Sequence, residues 1–133
     1  MNIRMAGLDW HVPIQLREQL SFPRGRVVEL NRLIRDNPGV EGCALLSTCN
    51  RTELYLSCAE GTEPDPAALL CAAAGVDYAA FAACFTTCAG EAAARRLMEV
   101  AGGLRSQIWG EDQILTQVKG AISAAREAGT ADG

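Results

Sequence analysis

The hydrophobic and polar positions along this chain predict strands that alternate with helices. Residues 40–46 are mostly apolar, which is typical of a strand buried on both faces. Residues 51–58 alternate instead, so a second strand there should present two different faces. One face carries Thr52, Leu54, Leu56 and Cys58, and the other carries Arg51, Glu53, Tyr55 and Ser57. Further short strands are expected over residues 2–8 and around residues 83–87.

Capping residues and helical spacing predict the helices that separate these strands. A helix often begins at Asp followed by Pro and ends at Gly, as Asp65, Pro66 and Gly75 do here. Helices are also predicted over residues 14–21, 91–101 and 111–127. A further helix is predicted after Pro23, where Val27, Leu30 and Ile34 share one face, and a short one is predicted after the capping residue Asp77. This mixed order predicts an α+β fold with helices packed on a small sheet.

Composition and net charge narrow the class of protein. The chain has 133 residues, of which 49% are hydrophobic, as expected for one globular domain with a single core. No apolar run approaches the ~20 residues needed to span a bilayer, and the amino terminus lacks a secretory signal, so we expect a cytoplasmic protein without a membrane partner. The net charge of −4 disfavours a broad basic surface, so this part alone should hold a nucleic acid poorly.

The six cysteines show no paired spacing of the kind that marks a metal site. Because His11 is the sole histidine, a zinc site would need scattered thiols, and we expect no metal. Disulfides are not expected without a secretory signal, so most cysteines should be small buried side chains. A thiol redox module that uses Cys49 with Cys43, or the pair Cys84 and Cys88, is an alternative. No Gly-x-Gly-x-x-Gly motif follows a strand, so no dinucleotide site is encoded.

Cys49 stands out because it lies in the joint between the strands at residues 40–46 and 51–58. A loop between rigid strands can hold a side chain firmly and leave it open to a substrate. A thiol is the strongest nucleophile among the side chains at neutral pH, although little of it is thiolate at its usual pKa of about 8.5. Arg51 could raise the thiolate fraction or bind a carboxylate through two hydrogen bonds. The alternatives are a buried structural cysteine, and a surface salt bridge of Arg51 with Glu53 or another acid.

The run from Ser47 to Tyr55 (Ser-Thr-Cys-Asn-Arg-Thr-Glu-Leu-Tyr) resembles the nucleophile signature of the glutamyl-tRNA reductases. Two further blocks are similar to that family in their order and spacing. The first is residues 7–18, which end in an Arg-Glu pair, and the second is residues 103–119. Three ordered blocks within residues 3–128 are far more specific than one motif, so the chain is identified as a member of this family that matches its N-terminal catalytic domain.

The resemblance implies an oxidoreductase at the first step of the C5 route to tetrapyrroles such as heme. In that reaction Cys49 attacks the ester that joins glutamate to its tRNA and forms a thioester, and hydride from NADPH then yields glutamate-1-semialdehyde. The covalent step is useful because a thioester is easier to reduce than an ester. The substrate contacts that the resemblance implies are Thr48, Asn50 and Arg51 beside Cys49, and Ser106, Glu111, Asp112, Gln113 and Gln117 in the later block.

The resemblance also implies how the chain is organised. Residues 1–110 form a catalytic glutamate-recognition domain with a ferredoxin-like fold, residues 111–128 form a helix leading toward an NADPH-binding domain absent from this chain, and residues 129–133 are a frayed tail. Acidic residues are favoured in the first turn of a helix, and this is the preferred explanation of Asp112, whereas Glu111 and Gln113 are expected to contact the substrate. The implied partners are glutamyl-tRNA, a second copy held through absent C-terminal helices, and the downstream aminomutase.

The chain departs from the family pattern at two positions. Arg96 stands where the family usually has a histidine that is the candidate proton handler near the thioester, and an arginine cannot act as a general base at neutral pH. The opening block is one residue shorter than usual, so Trp10 takes the place of another histidine and His11 follows it. Base catalysis is then dispensable, supplied by another group, or impaired. A degenerate relative that keeps the fold for regulation or partner binding is the alternative function.

Overall fold

The computed structural model describes residues 2–48 and 50–101. Its strands are β1 (Ile3–Leu8), β2 (Val40–Ser47), β3 (Thr52–Cys58) and β4 (Thr86–Ala89). Its helices are α1 (Ile14–Arg17), α2 (Arg24–Arg35), α3 (Pro66–Ala74), α4 (Tyr78–Phe81) and α5 (Glu91–Ala101), with 3-10 turns at Glu18–Leu20 and Ala82–Cys84. The predicted helix at 111–127 lies outside the described residues, as do Cys49, Ser106, Glu111, Asp112, Gln113 and Gln117.

The four described strands form one sheet in the order β2-β3-β1-β4, and every neighbouring pair is antiparallel. Strands β1 and β3 are central, and Leu8 at the end of β1 lies opposite Thr52 at the start of β3. Helix α2 connects β1 to β2, and α3 lies between β3 and β4. This β-α-β-β-α-β order, with the first strand beside the third, is the ferredoxin-like arrangement. The predicted α+β fold is therefore confirmed.

The capping residues of α3 act as predicted. The Asp65 side chain accepts hydrogen bonds from two backbone N–H groups of the first turn, and Pro66 is the first helical residue. Gly75 ends the helix at φ +75°, a left-handed conformation in which glycine avoids the strain that a side chain would meet. Asp77 caps α4 in the same way as Asp65 caps α3. Local sequence is thus enough to place these two helices.

Two predicted elements differ from the structure. The helix expected over residues 14–21 is a single α turn, α1, followed by the 3-10 turn Glu18–Leu20. The hydroxyl of Thr52 donates a hydrogen bond of 2.6 Å to the carbonyl oxygen of Leu20, which is fully buried. Contact with β3 therefore decides how this segment ends. The fourth strand begins at Thr86 rather than at residue 83, because the 3-10 turn after α4 occupies residues 82–84.

Hydrophobic side chains pack on both faces of the sheet. On one face α5 brings Ala93 and Leu97 against Met5 and Tyr55. Helix α5 thus covers the face of β3 that carries Glu53 and Tyr55, and both residues are buried although Glu53 is charged. The larger core lies on the opposite face, with α2 and α3 above it, and includes Leu30, Ile34, Leu45, Leu54, Leu56, Leu70 and Phe81.

The part of the chain that the structure describes contains neither a membrane-spanning helix nor a candidate metal cluster. None of its helices is long and apolar enough to cross a bilayer. Within residues 2–48 and 50–101, no three His, Cys, Asp or Glu side chains lie together in a way that could hold a metal ion.

Candidate active site

The joint between β2 and β3 is a tight turn closed by Thr48. Its backbone N–H donates a hydrogen bond of 2.8 Å to the carbonyl oxygen of Arg51. Its hydroxyl oxygen accepts hydrogen bonds from the backbone N–H groups of Asn50 at 3.2 Å and Arg51 at 3.1 Å. Cys49 is bonded to Thr48 and Asn50 in the chain, so its two neighbours are held by this hydrogen-bonded turn. Such a turn provides a rigid mount for a nucleophile.

A cleft of about 220 Å³ opens beside this turn. Its two sides are joined by the Thr52 hydrogen bond to Leu20 and by a bond of 2.9 Å from the Phe22 N–H to the Ser47 hydroxyl. Two arginines, one glutamate and several hydroxyl groups suit a small ligand that carries a carboxylate. The lining residues are Thr48, Arg51 and Thr52 on one side, and Ile14, Arg17, Glu18 and Ser21 on the other.

A larger cavity, of about 360 Å³, lies against β1, β4 and the start of α3. It is lined by none of the site residues predicted from the sequence, and its one basic side chain is Arg4. The candidate site is therefore the smaller cleft, because that cleft is lined by Thr48 and Arg51, which flank Cys49 in the sequence.

Four side chains beside the turn form a buried group that we call the Glu53 cluster: Arg51, Glu53, Tyr55 and Arg96. Glu53 Oε2 lies 3.0 Å from Arg96 Nε, 2.9 Å from Arg96 Nη2 and 3.5 Å from Arg51 Nη1. The Tyr55 hydroxyl donates a hydrogen bond of 2.8 Å to Glu53 Oε1. The side chains of Arg51 and Glu53 are both 0% exposed. The salt bridge between Arg51 and Glu53 is therefore present, but the expectation that it lies on the surface is wrong, because the pair is internal.

Burial, followed by the Glu53 carboxylate, raises the pKa of Tyr55 above its ordinary value. Tyr55 therefore stays protonated at neutral pH and remains a hydrogen-bond donor to Glu53. A buried carboxylate is costly unless its charge and its lone pairs are matched. In this cluster Arg96 and Tyr55 supply the close partners of Glu53.

The loop after β1 adds an aspartate and a histidine to the same corner. Asp9 Oδ1 accepts a hydrogen bond of 3.0 Å from the backbone N–H of His11 and lies 2.8 Å from His11 Nδ1. Asp9 Oδ2 lies 3.9 Å from Arg96 Nη2. Burial alone would raise the pKa of Asp9, but its hydrogen bonds with His11 lower it, so Asp9 is charged at neutral pH. The His11 side chain stacks on Trp10 and is 67% exposed, and it bonds Asp9, which in turn lies near Arg96.

The structure brings together one part of the predicted site. Thr48, Asn50 and Arg51 share the turn, and Arg96 reaches the neighbouring cluster from α5. Glu53 and Asp9 were not predicted as site residues. For Glu53 a signal was present, because the alternation in β3 places it on the same face as Arg51. The predicted contacts at residues 106–117 remain predictions.

We expect Cys49 to react with a small alkylating agent faster than the other cysteines. Cys43, Cys58 and Cys71 are buried, and burial raises the thiol pKa of Cys58 and of Cys71, which leaves little reactive thiolate. Peptide mapping after a short exposure to iodoacetamide at pH 7 would measure the order of labelling. Labelling of Cys84, which is half-buried, before Cys49 would contradict the assignment.

Known proteins were compared with the chain in sequence and in structure. The family described as "Glutamyl-tRNAGlu reductase, N-terminal domain" matches residues 8–133. Glutamyl-tRNA reductases from Acetivibrio thermocellus and Alkaliphilus oremlandii are 45% and 42% identical to it over 133 residues, covering 99% of this chain. The chain spans 40% of the length of each of these relatives.

The fold is similar to that of a solved relative. The structure of glutamyl-tRNA reductase from Methanopyrus kandleri matches with a TM-score of 0.76 and 32% identity, over 98% of this chain and 29% of that one. Sequence and fold thus agree with the three blocks that first indicated the family. The chain belongs to the glutamyl-tRNA reductase family, as its N-terminal domain.

Proposed function

We propose that this domain carries out the acyl-transfer step of glutamyl-tRNA reductase, with Cys49 as the nucleophile. The thiolate sulfur forms a bond to the ester carbonyl carbon of glutamyl-tRNA, and the bond from that carbon to the ribose oxygen breaks. The ribose oxygen takes up a proton, so the products are a glutamyl thioester on Cys49 and free tRNA. Without reduction, water can hydrolyse the thioester.

The observation that carries this proposal is the hydrogen-bonded turn at residues 48–51 beside the cleft. Arg51 lines that cleft, and a guanidinium can bind a carboxylate through two parallel hydrogen bonds. We propose that Arg51 binds the side-chain carboxylate of glutamate, with Arg17 as a second positive charge on the opposite side. Thr48 and Asn50 are proposed to contact the substrate next to the reacting carbonyl. This arrangement would select glutamate over the neutral glutamine.

The residues that the structure describes do not fit NADPH. No Gly-x-Gly-x-x-Gly follows a strand in the sequence, and no glycine-rich turn leads from a strand into a helix among the described residues. We therefore assign the reduction to glutamate-1-semialdehyde to a separate NADPH-binding domain of the whole enzyme. The glutamate-recognition domain is proposed to be residues 1–110, with residues 111–128 leading toward that domain.

The remaining assignments concern the whole enzyme. We propose that Ser106, Glu111, Asp112, Gln113 and Gln117 complete the substrate site. We further propose a cytoplasmic homodimer that joins through C-terminal helices and passes its product to the downstream aminomutase.

The test is mass spectrometry of the intact protein mixed with glutamyl-tRNA, with glutaminyl-tRNA as the matched control. We expect one glutamyl group on the peptide that contains Cys49, release of free tRNA, and little adduct with glutaminyl-tRNA. Adding NADPH to this chain should yield no semialdehyde, because no Gly-x-Gly-x-x-Gly motif follows a strand in its sequence. A folded protein that forms no adduct would overturn the proposal and favour the non-catalytic relative.

A further inference from the structure

Arg96 stands where the family usually has a histidine, and its contacts indicate a role other than proton transfer. We propose that Arg96 is a positioning residue that holds Glu53 away from close pairing with Arg51, and thereby maintains positive charge in the cleft that Thr48 and Arg51 line. The part of this inference that concerns substrate selection rests on the proposed function. The rate at which Cys49 is alkylated tests the inference without that assumption.

The hydrogen bonds of Glu53 carry the first part of the argument. Two nitrogens of Arg96 meet Glu53 Oε2 at 2.9 and 3.0 Å, and Tyr55 occupies Oε1 at 2.8 Å. The contact with Arg51 Nη1, at 3.5 Å, is the longest of the four. Charge-assisted hydrogen bonds are strongest at about 2.7–2.9 Å and weaken as they lengthen. Glu53 is therefore paired mainly with Arg96, and Arg51 is only its secondary partner.

The backbone of β1 is built to allow this arrangement. Gly7 lies opposite Glu53 in the sheet, and a Cβ atom on Gly7 would lie 2.7 Å from Glu53 Cγ and 3.1 Å from the carbonyl oxygen of Thr52. A contact of 2.7 Å is shorter than carbon atoms tolerate, so a side chain on Gly7 would force Glu53 to move. The side chain of Glu53 thus occupies the space that glycine leaves over β1.

The charges around Arg96 carry the second part of the argument. The charged or titratable groups near it in the described chain are Glu53 and Tyr55 from β3, Arg51 on the same Glu53 oxygen, and Asp9, with His11 bound to it, from the loop after β1. Removing Arg96 lowers the net charge of this group of side chains by one unit. It also allows the Glu53 carboxylate to move closer to the Arg51 guanidinium. Buried charges interact several times more strongly than charges in water, so the positive charge that this group of side chains presents to the cleft would fall.

These contacts also argue against Arg96 as a base. A guanidinium stays protonated at any pH at which a protein is folded. Its side chain is 7% exposed and lies between two carboxylates, those of Glu53 and Asp9. The position of the usual histidine is therefore used here for charge placement.

The test compares Arg96→Met, which keeps a long apolar stem without charge, with the double variant Arg96→Met/Glu53→Gln. The first readout is the rate at which Cys49 is alkylated as a function of pH. A nearby charge that acts directly moves a pKa by about 1–3 units. Arg96 acts on the Cys49 thiol through Arg51, so its effect on the pKa of that thiol should be smaller. We therefore expect Cys49 of Arg96→Met to be alkylated about three- to tenfold more slowly at pH 7. The double variant removes one charge of each sign and should return to within about twofold of the wild type.

The second readout is the preference for glutamyl-tRNA over glutaminyl-tRNA, which should fall in Arg96→Met and recover in the double variant. Arg95→Met is the matched control, because Arg95 is the exposed neighbour on α5 and should change neither readout. A merely structural role would make the double variant worse than the single one. If Arg96→Met does not fold, the double variant alone tests the inference. Fast alkylation of Cys49 in the double variant supports the inference, and slow alkylation overturns it.

Two outcomes would overturn the inference. One is equal alkylation of Cys49 in the wild type and Arg96→Met. The other is an Arg96→His variant that hydrolyses the thioester faster while its alkylation is unchanged, which would make this position a site of proton transfer. If the wild type forms no thioester, the proposed function fails, whereas the alkylation comparison still tests Arg96.

Discussion

Replacing Cys49 with serine is expected to remove thioester formation from glutamyl-tRNA. A serine hydroxyl is a weak nucleophile unless a base lies beside it, and the nearby cationic side chains, Arg51 and Arg96, cannot accept a proton. We expect the release of tRNA to slow by at least about a thousandfold, the order of loss seen when a catalytic nucleophile is removed. Serine is close to cysteine in size, so the fold should persist. The measurement is a time course of free tRNA together with the mass of the protein.

Cys84→Ser is the matched control for this experiment. Cys84 is half-buried in the 3-10 turn after α4 and does not line the cleft beside Cys49. This variant should therefore form the adduct at the wild-type rate. An adduct that survives in Cys49→Ser and disappears in Cys84→Ser would reverse the assignment. A disulfide of Cys49 with Cys43 under mild oxidant would instead favour the redox alternative.

Arg51→Lys is expected to impair the enzyme almost as much as Arg51→Ala. Lysine keeps the positive charge but cannot form the two parallel hydrogen bonds that a guanidinium makes with a carboxylate. Loss of a hydrogen bond to a charged group costs roughly 1.5–3 kcal/mol, which corresponds to about a ten- to hundredfold fall in kcat/KM. The quantity to measure is kcat/KM for acyl transfer from glutamyl-tRNA.

Arg51 is fully buried, so its replacement also affects stability, and the activity must be read as a ratio. The ratio of glutamyl-tRNA to glutaminyl-tRNA turnover isolates recognition of the carboxylate from the amount of folded protein. We expect this ratio to fall in both Arg51 variants and to stay unchanged in Arg95→Ala, which alters an exposed arginine of α5. An Arg51→Ala enzyme that still distinguishes the two substrates would show that another group binds the carboxylate.

The sequence by itself determined the elements that depend on neighbouring residues. Asp65, Pro66 and Gly75 begin and end α3 through contacts within a few residues of the helix, so no distant part of the chain is needed to place it. The alternation over residues 51–58 predicted that Arg51 and Glu53 lie on one side, because successive side chains of a strand point to opposite sides, and the two side chains do meet at 3.5 Å. The signature around Cys49 could indicate the family because the turn and its flanking strands are contiguous in the sequence.

Only the tertiary structure decided what covers each face. The sequence around Glu53 does not reveal that Arg96, 43 residues later, reaches it from α5, or that Gly7 leaves the space for its side chain. Likewise the segment after Pro13 ends in a 3-10 turn because Thr52 bonds the carbonyl of Leu20, 32 residues away. Periodicity states which side of a strand a residue occupies. Whether that side meets water, a helix or an opposite charge depends on which distant segment packs there, so the buried Glu53 cluster beside the turn emerged only from the folded chain.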